Sequence, residues 1–180
     1  MSPSFEEIQT EHLTLRIAYP ETMDAIFALP SAKEQMRLLG IKDKRQLQID
    51  RQKHKDGLST HNRKFVHFFI YEKGGNTVIG WCGYHTWYTD HNRAELGYSF
   101  FSDAPKGKGW MSEAVAKVIP YGFDVMKLHR IEAMTGTTNK ASQRILEKFG
   151  FQYEGHLREH YLRDGIYEDS LVFSLLSGER

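Results

Sequence analysis

The stretch from Asp103 to Ala114 constrains the fold more than any other, because it joins a strand pattern to a helix pattern through two glycines. Residues 94–101 are rich in aromatic residues, as is typical of a strand. Beyond it, apolar residues recur at the spacing of one helix face: Val115, Val118, Ile119, Gly122, Phe123 and Met126. Gly107 and Gly109 allow backbone N–H groups to converge at the helix N terminus, where the partial charge is positive. This stretch predicts a pyrophosphate site, and an ordinary exposed turn is the alternative.

Length and charge narrow the class of protein. A chain of 180 residues suggests one domain, residues 1–180, with room for a substantial core. Its 24 Lys and Arg against 23 Asp and Glu argue against broad electrostatic binding to nucleic acid, although a local phosphate site remains compatible. A single cysteine, Cys82, excludes an intramolecular disulfide and favours a packed strand position in a reducing compartment.

The sequence contains no signal typical of secretion, of a membrane span or of a metal site. We find no signal peptide and no apolar run long enough to span a bilayer, so we expect a cytoplasmic protein without a membrane partner. The nine histidines form no spacing typical of a metal site, and we predict no metal.

The first half of the chain predicts one strand, helices and then a meander. Residues 11–18 alternate as a strand, and Thr22 can cap a helix that Pro30 ends. Residues 31–60 are polar and favour helices, which either cover a substrate cleft or form a surface pair. Strand patterns at 65–71, 77–88 and 93–101, joined by short turns, indicate an antiparallel meander.

The second half alternates helix and strand. A helix over 112–126 contains Pro120, which should bend it, and a strand follows at 130–135. Asn139 and Gly150 suit the two ends of a second helix. Strands at 151–154 and 167–176, joined through 156–165, close the chain, which gives an α+β sheet overall.

Two segments are informative when they are read together: Lys106-Gly-Lys-Gly-Trp-Met111, and Asn139 followed eleven residues later by Gly150-Phe151. They resemble the two signatures of the GNAT superfamily of acetyl-CoA-dependent N-acetyltransferases. The first resembles its phosphate-binding loop, although the superfamily prefers Gln or Arg at the position of Lys106. The likeness is greatest to the RimJ/RimL-like branch of ribosomal-protein N-terminal acetyltransferases, and it is weakest over residues 31–64.

The resemblance implies a fold and a donor site. It implies a mixed, mostly antiparallel central sheet with helices on both faces and a splay between the strands at 94–101 and 130–135. The pantetheine arm of acetyl-CoA would lie in that splay, and its pyrophosphate on the loop. The implied donor-binding residues are Phe100, Phe101, Ser102, Lys106, Gly107, Lys108, Gly109, Trp110, Met111, Ser112, Asn139 and Ser142. For Asn139, plain helix capping is the alternative.

The resemblance also implies catalytic residues. The branch places a serine near the departing thiolate, which here is Ser142, while Leu146 occupies the position at which many relatives carry a tyrosine acid. Glu95 aligns with the carboxylate that other members use as a general base. His160 and its neighbour Glu159 lie where the branch places another base candidate, and the choice between them stays open.

We therefore expect direct acetyl transfer, in a ternary complex, to the α-amine of a protein or peptide, a ribosomal protein among the candidates. An α-amine, with a pKa near 8, needs much less help from a base than lysine, with a pKa near 10.4. Two alternatives remain, namely acetylation of a small amine such as a polyamine or antibiotic, and a non-catalytic CoA-binding module. The sequence leaves open whether the protein is a monomer or a homodimer.

Overall fold

The computed structural model describes residues 3–56, 64–101, 103–105 and 107–180, and these residues form one sheet flanked by helices. The strands are β1 (Glu6–Gln9), β2 (Leu13–Ala18), β3 (Val66–Glu72), β4 (Val78–Tyr88), β5 (Arg93–Phe100), β6 (Arg130–Gly136), β7 (Gln152–Arg163) and β8 (Ile166–Leu176). The helices are α1 (Pro20–Phe27), α2 (Ala32–Leu39), α3 (Lys44–Asp56), α4 (Trp110–Asp124) and α5 (Lys140–Lys148).

The sheet opens at its centre. Its strand order is β1-β2-β3-β4-β5-β6-β8-β7, and every neighbouring pair is antiparallel except β5 and β6, which are parallel. These two strands pair only from Arg93–Glu95 to Arg130–Glu132. Beyond Glu95 they diverge, so the predicted splay and the mixed, mostly antiparallel sheet are confirmed.

Helices cover both faces of the sheet, as predicted. Successive side chains of β3 point to opposite faces of the sheet: Phe68 packs in the core beneath α4, whereas Phe69 packs against α1, α2 and α3. The larger core joins β2–β6 to the apolar side of α4, including Val115 and Val118, and to Leu146 of α5. Burial of this apolar surface provides the main driving force for folding.

A buried amide holds the three N-terminal helices together. Gln35 of α2 is fully buried, and its amide nitrogen donates to the carbonyls of Phe27 (3.1 Å) and Leu29 (2.6 Å). Its amide oxygen accepts from Arg51 of α3, with Nε at 3.0 Å. Because every polar atom of this side chain has a partner, Gln35 can be buried without a large desolvation penalty.

The meander at 65–101 is confirmed as β3–β5, but several boundaries differ from the prediction. Tyr19, rather than Thr22, precedes α1, and the Thr22 hydroxyl accepts a hydrogen bond from the Tyr19 amide at 3.2 Å. Helix α1 ends at Phe27, before Pro30. Helix α4 begins at Trp110 and continues through Pro120 without interruption.

At the two edges of the sheet, the observed strands also differ from the predicted ones. Strand β1 was not predicted, since Glu6–Gln9 contains only one apolar residue. Residues 156–163, which were expected to be a connection, belong to β7 and pair with β8 as a long hairpin. Extra residues in β7 interrupt the alternation between Leu157 and Tyr161, so the segment does not show a strand pattern.

Two further observations concern membranes and metals. No helix in the described part of the chain has the length and apolar character needed to cross a membrane. In that same part, no three or more His, Cys, Asp or Glu side chains are grouped as metal ligands. Cys82 is fully buried, and burial raises the pKa of its thiol far above the usual range, in keeping with a packing position.

Candidate active site

A cavity of about 840 Å³ occupies the opening between β5 and β6. Its wall combines both strands with the start of α4, the first turn of α5 and part of the β7–β8 hairpin. Most of the predicted site residues line it: Glu95, Phe100, Gly107, Lys108, Gly109, Trp110, Met111, Ser112, Asn139 and Ser142. The splay therefore brings together residues that are up to 47 positions apart in the chain.

One end of the cavity has the features of an anion site. Gly107 and Gly109 both have φ near 76°, a left-handed conformation that glycine adopts without strain. Gly109 is the N-cap of α4 and offers no side-chain acceptor, so the helix presents its first amides and its positive dipole end to this space.

Two lysines add charge at this end. Lys108 lies with its ammonium 4.5 Å from the centre of the Trp110 ring, and Lys148 of α5 donates to the Ser112 hydroxyl at 2.8 Å. Two of the predicted donor-binding residues, Ser102 and Lys106, lie outside the described residues.

The edge of β5 that faces the cavity carries backbone groups available to a ligand. The Phe101 amide points toward β4, because it donates a hydrogen bond to the Ile79 carbonyl at 2.9 Å. Because successive strand residues direct their backbone groups to opposite sides, Leu96, Tyr98 and Phe100 direct theirs toward the splay. Beyond Glu95 the sheet supplies no strand to pair with them. Such an edge can bind an extended ligand as an added strand.

Phe101 itself belongs to a different cavity, of about 490 Å³, on the α1–α3 face of the sheet. Helices α2 and α3 form part of its wall, so the polar segment that begins at residue 31 does cover a cleft. Its lining is mixed in charge and includes the ion pair of Lys42 with Asp103. Trp81 lines both cavities and marks where they adjoin.

Asn139 and Ser142 lie in the first turn of α5. The Asn139 side chain accepts a hydrogen bond from the Ser142 amide at 3.1 Å, so Asn139 caps the helix as well as lining the cavity. The Ser142 hydroxyl lies 2.8 Å from the hydroxyl of Tyr98 on β5. Burial raises the pKa of Tyr98 to about 12, partly opposed by its hydrogen bond to Ser142. The splay thus holds a pair of neutral hydroxyls.

Leu146 and Thr135 complete this side of the splay. Leu146 is buried in the core, so it contributes packing. Thr135 of β6 lines the cavity, and its buried hydroxyl oxygen has no hydrogen-bond partner within the described ranges. A buried polar atom without a partner is unusual and marks a position at which a ligand can contribute one.

Glu95 lies at the last paired rung of β5 and β6. Its side chain is 13% exposed, and burial raises its pKa to about 7, with a further contribution from the negative charge of Glu132 opposite. Glu132 accepts hydrogen bonds from Arg93 and Arg130, with donor distances of 2.7 and 2.8 Å. The two neighbouring carboxylates therefore differ in their surroundings, because Glu132 is paired with two arginines and Glu95, among the described residues, with none.

His85 and Tyr161 adjoin Glu95 and were not identified from the sequence. The Nδ1 atom of His85 lies 3.7 Å from a carboxylate oxygen of Glu95. Tyr161 of β7 lines the same cavity, and its pKa is raised by burial and then by the charge of Glu95. Regular pairing across the turn at Thr89–Asn92 would place Thr86 opposite Glu95, so the sequence carries no signal for His85 at this position.

His160 and Glu159 lie beside this cavity. His160 Nδ1 is 3.1 Å from the hydroxyl of Ser170, which does line the cavity, whereas His160 does not. The Glu159 amide donates to Asp169 at 2.7 Å, and the residue adopts φ of 51° within the irregular part of β7. The structure thus brings Tyr161 of this segment, in place of His160, to the wall that Glu95 shares.

A splayed parallel pair with a helix N terminus at one end defines a class of fold, that of the acetyl-CoA-dependent acetyltransferases. Residues 12–152 match the acetyltransferase (GNAT) domain family, and the chain belongs to it. It is 32% identical to the uncharacterized N-acetyltransferase YoaA of Bacillus subtilis over 96% of this chain and 97% of that protein. It is 36% identical to the uncharacterized N-acetyltransferase p20 of Bacillus licheniformis, over 97% and 98% of the two chains.

Two more distant similarities concern ribosomal-protein enzymes. Over 80 residues, 44% of this chain and 41% of the other, it is 36% identical to the [ribosomal protein uS5]-alanine N-acetyltransferase of Escherichia coli. The crystal structure of a ribosomal-protein-S5-alanine acetyltransferase from Vibrio fischeri has the same fold, with a TM-score of 0.68 at 23% identity over 97% and 99% of the chains. The chain is thus a GNAT-type N-acetyltransferase, and this family uses acetyl-CoA as its donor.

Proposed function

We propose that this protein transfers the acetyl group of acetyl-CoA directly to the α-amine of a protein or peptide. The observation that carries the proposal is the single cavity that joins the N terminus of α4 to Glu95 through the opening between β5 and β6. One surface can thereby bind the phosphates of the donor, extend its arm along β5 and present its acetyl group beside a base.

The donor fits the wall of this cavity. The amides at Trp110, Met111 and Ser112 and the nearby Lys108 would bind the pyrophosphate, since a helix N terminus with adjacent cations favours anions. The pantetheine arm would pair with the backbone of β5 at Tyr98 and Phe100. A β5 amide in the splay would polarise the thioester carbonyl.

The state of Glu95 favours an α-amine as acceptor. With a pKa of about 7, Glu95 is partly ionised at neutral pH and can accept a proton from the acceptor. Proton transfer from an α-ammonium, with a pKa near 8, would then be uphill by about 1.4 kcal/mol. Transfer from a lysine ammonium, with a pKa near 10.4, would be uphill by about 4.6 kcal/mol. The neutral amine then attacks the carbonyl carbon.

Ser142 and Tyr98 would stabilise the departing thiolate. Their hydroxyls are 2.8 Å apart, so one can donate to the other while the second donates to sulfur. A thiol has a pKa near 8.5, and its anion therefore needs only modest stabilisation from neutral donors. Replacing Ser142 with Ala should lower kcat more than affinity for acetyl-CoA, and an unchanged kcat would exclude Ser142 from the reaction.

The acceptor side of the site supports a polypeptide more than a polyamine. A polyamine needs a concentration of negative charge, whereas the second cavity, which adjoins the site at Trp81, pairs Lys42 with Asp103 and also contains Lys53 and Asp50. The similarity over 80 residues to an enzyme that acetylates the alanine of a ribosomal protein points the same way. A cytoplasmic location would suit such an acceptor.

An acceptor panel tests the proposal. The protein is given acetyl-CoA with a peptide that carries both a free α-amine and a lysine, the same peptide with a blocked N terminus, and spermidine. We expect rapid acetylation of the α-amine alone, located by mass spectrometry, and its loss in Glu95→Gln. Glu72→Gln, a change at an exposed carboxylate at the end of β3, serves as the matched control. Preference for lysine or spermidine would contradict the acceptor class, and acetyl-CoA binding without transfer would indicate a non-catalytic module.

A further inference from the structure

We propose that His85 is a proton-transfer residue that takes the proton from Glu95 after each turnover and releases it to solvent. This inference rests on the proposed function, because it concerns the proton that Glu95 removes from the acceptor amine. His85 lines the cavity from β4, the strand that also contributes Trp81 to its wall.

The balance of the reaction requires a route for one proton. The acceptor enters as an ammonium group and loses one proton to Glu95. Its nitrogen then forms a bond to the acetyl carbon, the carbon–sulfur bond breaks, and the second nitrogen proton ends on the thiolate. The products are an amide and a neutral thiol, so one proton remains on Glu95. Glu95 cannot act as a base again until that proton has left.

Glu95 is poorly placed to return this proton to water by itself. Its side chain is 13% exposed and lies at the rung where β5 and β6 meet. His85 stands directly opposite on β4, with Nδ1 3.7 Å from a Glu95 oxygen, and its side chain is 30% exposed. This distance exceeds that of a hydrogen bond, so proton transfer requires one side chain to move closer or one water to bridge the pair. His85 therefore lies beside the buried base and is the more exposed of the two.

The other ionisable groups around His85 and Glu95 do not fit this task. From β6, Glu132 is already paired with Arg93 and Arg130. From β3, His67 is buried and stays neutral, because burial and then the charge of His85 lower its pKa to about 3. From β7, Tyr161 has a raised pKa and keeps its proton. Burial also lowers the pKa of His85, so His85 would hold a proton only briefly, as a carrier must.

The backbone around His85 is arranged in an unusual way. The pairing of β4 with β5 shifts by one residue between His85 and Tyr88, and this bulge places His85 opposite Glu95. Thr86, inside the bulge, adopts φ of 50°, a strained conformation for a β-branched residue. Its hydroxyl lies 3.0 Å from His85 Nδ1. Strained residues persist where the surrounding structure holds them, and they cluster at functional sites.

Gly97 provides space for the His85 ring on the other side. A side-chain carbon at Gly97 would lie 2.8 Å from His85 Nε2 and 2.9 Å from the Trp81 ring, too close for either contact. The ring of His85 therefore rests over the backbone of β5 between Glu95 and Trp81. Strain at Thr86, the bulge and a glycine together fix one imidazole beside the base.

Buffer dependence of turnover tests the role of His85. Turnover with acetyl-CoA and an α-amine peptide is measured for the full chain and for His85→Gln, at low buffer concentration and with added imidazole. We expect kcat of the variant to fall about tenfold or more in dilute buffer, with an unchanged KM for acetyl-CoA, and to recover as imidazole rises. Wild type should not respond to imidazole. His91→Gln, a change at an exposed histidine in the turn after β4, should behave as wild type does.

Each other outcome is decisive. If His85→Gln equals wild type in dilute buffer, or is slower but is not restored by imidazole, then His85 carries no proton and the inference is overturned. If wild type acetylates no amine, the proposed function fails and the inference fails with it. Thr86→Ala, which removes the hydroxyl beside His85, provides a second variant in case His85→Gln does not fold. It should show a smaller loss of kcat that imidazole also restores.

Discussion

Glu132→Gln should shift the pH dependence of acetyl transfer to lower pH. Glu132 lies opposite Glu95 on the last rung between β5 and β6, and its negative charge is the second cause of the raised pKa of Glu95. The substitution removes that charge and leaves Arg93 and Arg130 in place. The loss of a negative charge and the two remaining positive charges both favour the ionised form of Glu95, so the pKa of Glu95 should fall.

The size of the shift follows from the structure. The pKa of Glu95 rises from 4.5 to about 7, and burial is the larger cause. The charge of Glu132 thus accounts for less than half of the rise, so its removal lowers the pKa of Glu95 by at most about one pH unit, which is about 1.4 kcal/mol. If the pKa falls from about 7 to about 6, the ionised fraction of Glu95 at pH 6 rises about fivefold, while at pH 8 it hardly changes.

The assay is a profile of kcat/KM for the peptide from pH 5 to pH 9, measured for both proteins. The titration of the acceptor amine is common to both profiles, so the difference between them belongs to the enzyme. We expect the ratio of variant to wild type to be several-fold higher at pH 6 than at pH 8. Glu132→Asp, which keeps the charge, is the control and should leave the midpoint near that of wild type.

Two results would refute this reasoning. An unchanged midpoint in a folded Glu132→Gln variant would show that the charge of Glu132 does not reach the base. A Glu95→Gln variant that kept the acidic limb of the profile would show that a group other than Glu95 is the base. Thermal unfolding checks that the loss of two arginine contacts leaves the variant folded.

Three further predictions concern the donor side. Asn139→Ala should lower stability by about 1 kcal/mol, or Tm by about 2–4 °C, because it removes the side-chain cap of α5. Asn139→Asp should retain the cap, and equal Tm values for Asn139→Ala and wild type would contradict the capping role. Gly109→Ala should weaken acetyl-CoA binding, measured by calorimetry, because a φ of 76° costs alanine about 1–2 kcal/mol even though its side chain would meet no atom within 4 Å. Unchanged affinity would show that this loop does not bind the donor. Tyr98→Phe and Ser142→Ala should have effects on kcat that are not additive, since the two hydroxyls share a hydrogen bond, and additive losses would separate their roles.

Local signals were sufficient to predict the elements that form the proposed donor site. The two glycines and the helix pattern after them predicted the turn into α4, because glycine conformation and helical periodicity depend on nearby residues. Asn139 and Gly150 likewise mark the ends of α5 as predicted. The splay was predicted only through the resemblance to the GNAT superfamily, because the separation of β5 from β6 depends on contacts between residues that are far apart in the chain.

The surroundings of Glu95 could not be predicted in the same way. With Tyr88 opposite Arg93, regular pairing would place Thr86 opposite Glu95, and the one-residue bulge substitutes His85. A similar irregularity in β7 brings Tyr161, rather than His160, to the cavity wall. Bulges reflect tertiary packing and strain, which the residue pattern of a single strand does not encode.

Amide hydrogen exchange in β5, with and without acetyl-CoA, tests most directly whether the donor arm lies between β5 and β6. The amides of Tyr98 and Phe100 face the splay, whereas that of Ser99 faces β4 and serves as an internal control. We expect acetyl-CoA to slow exchange at Tyr98 and Phe100 and to leave Ser99 protected in both states. If binding occurs and exchange at Tyr98 and Phe100 stays as fast as in the free protein, the donor lies elsewhere and the account is wrong.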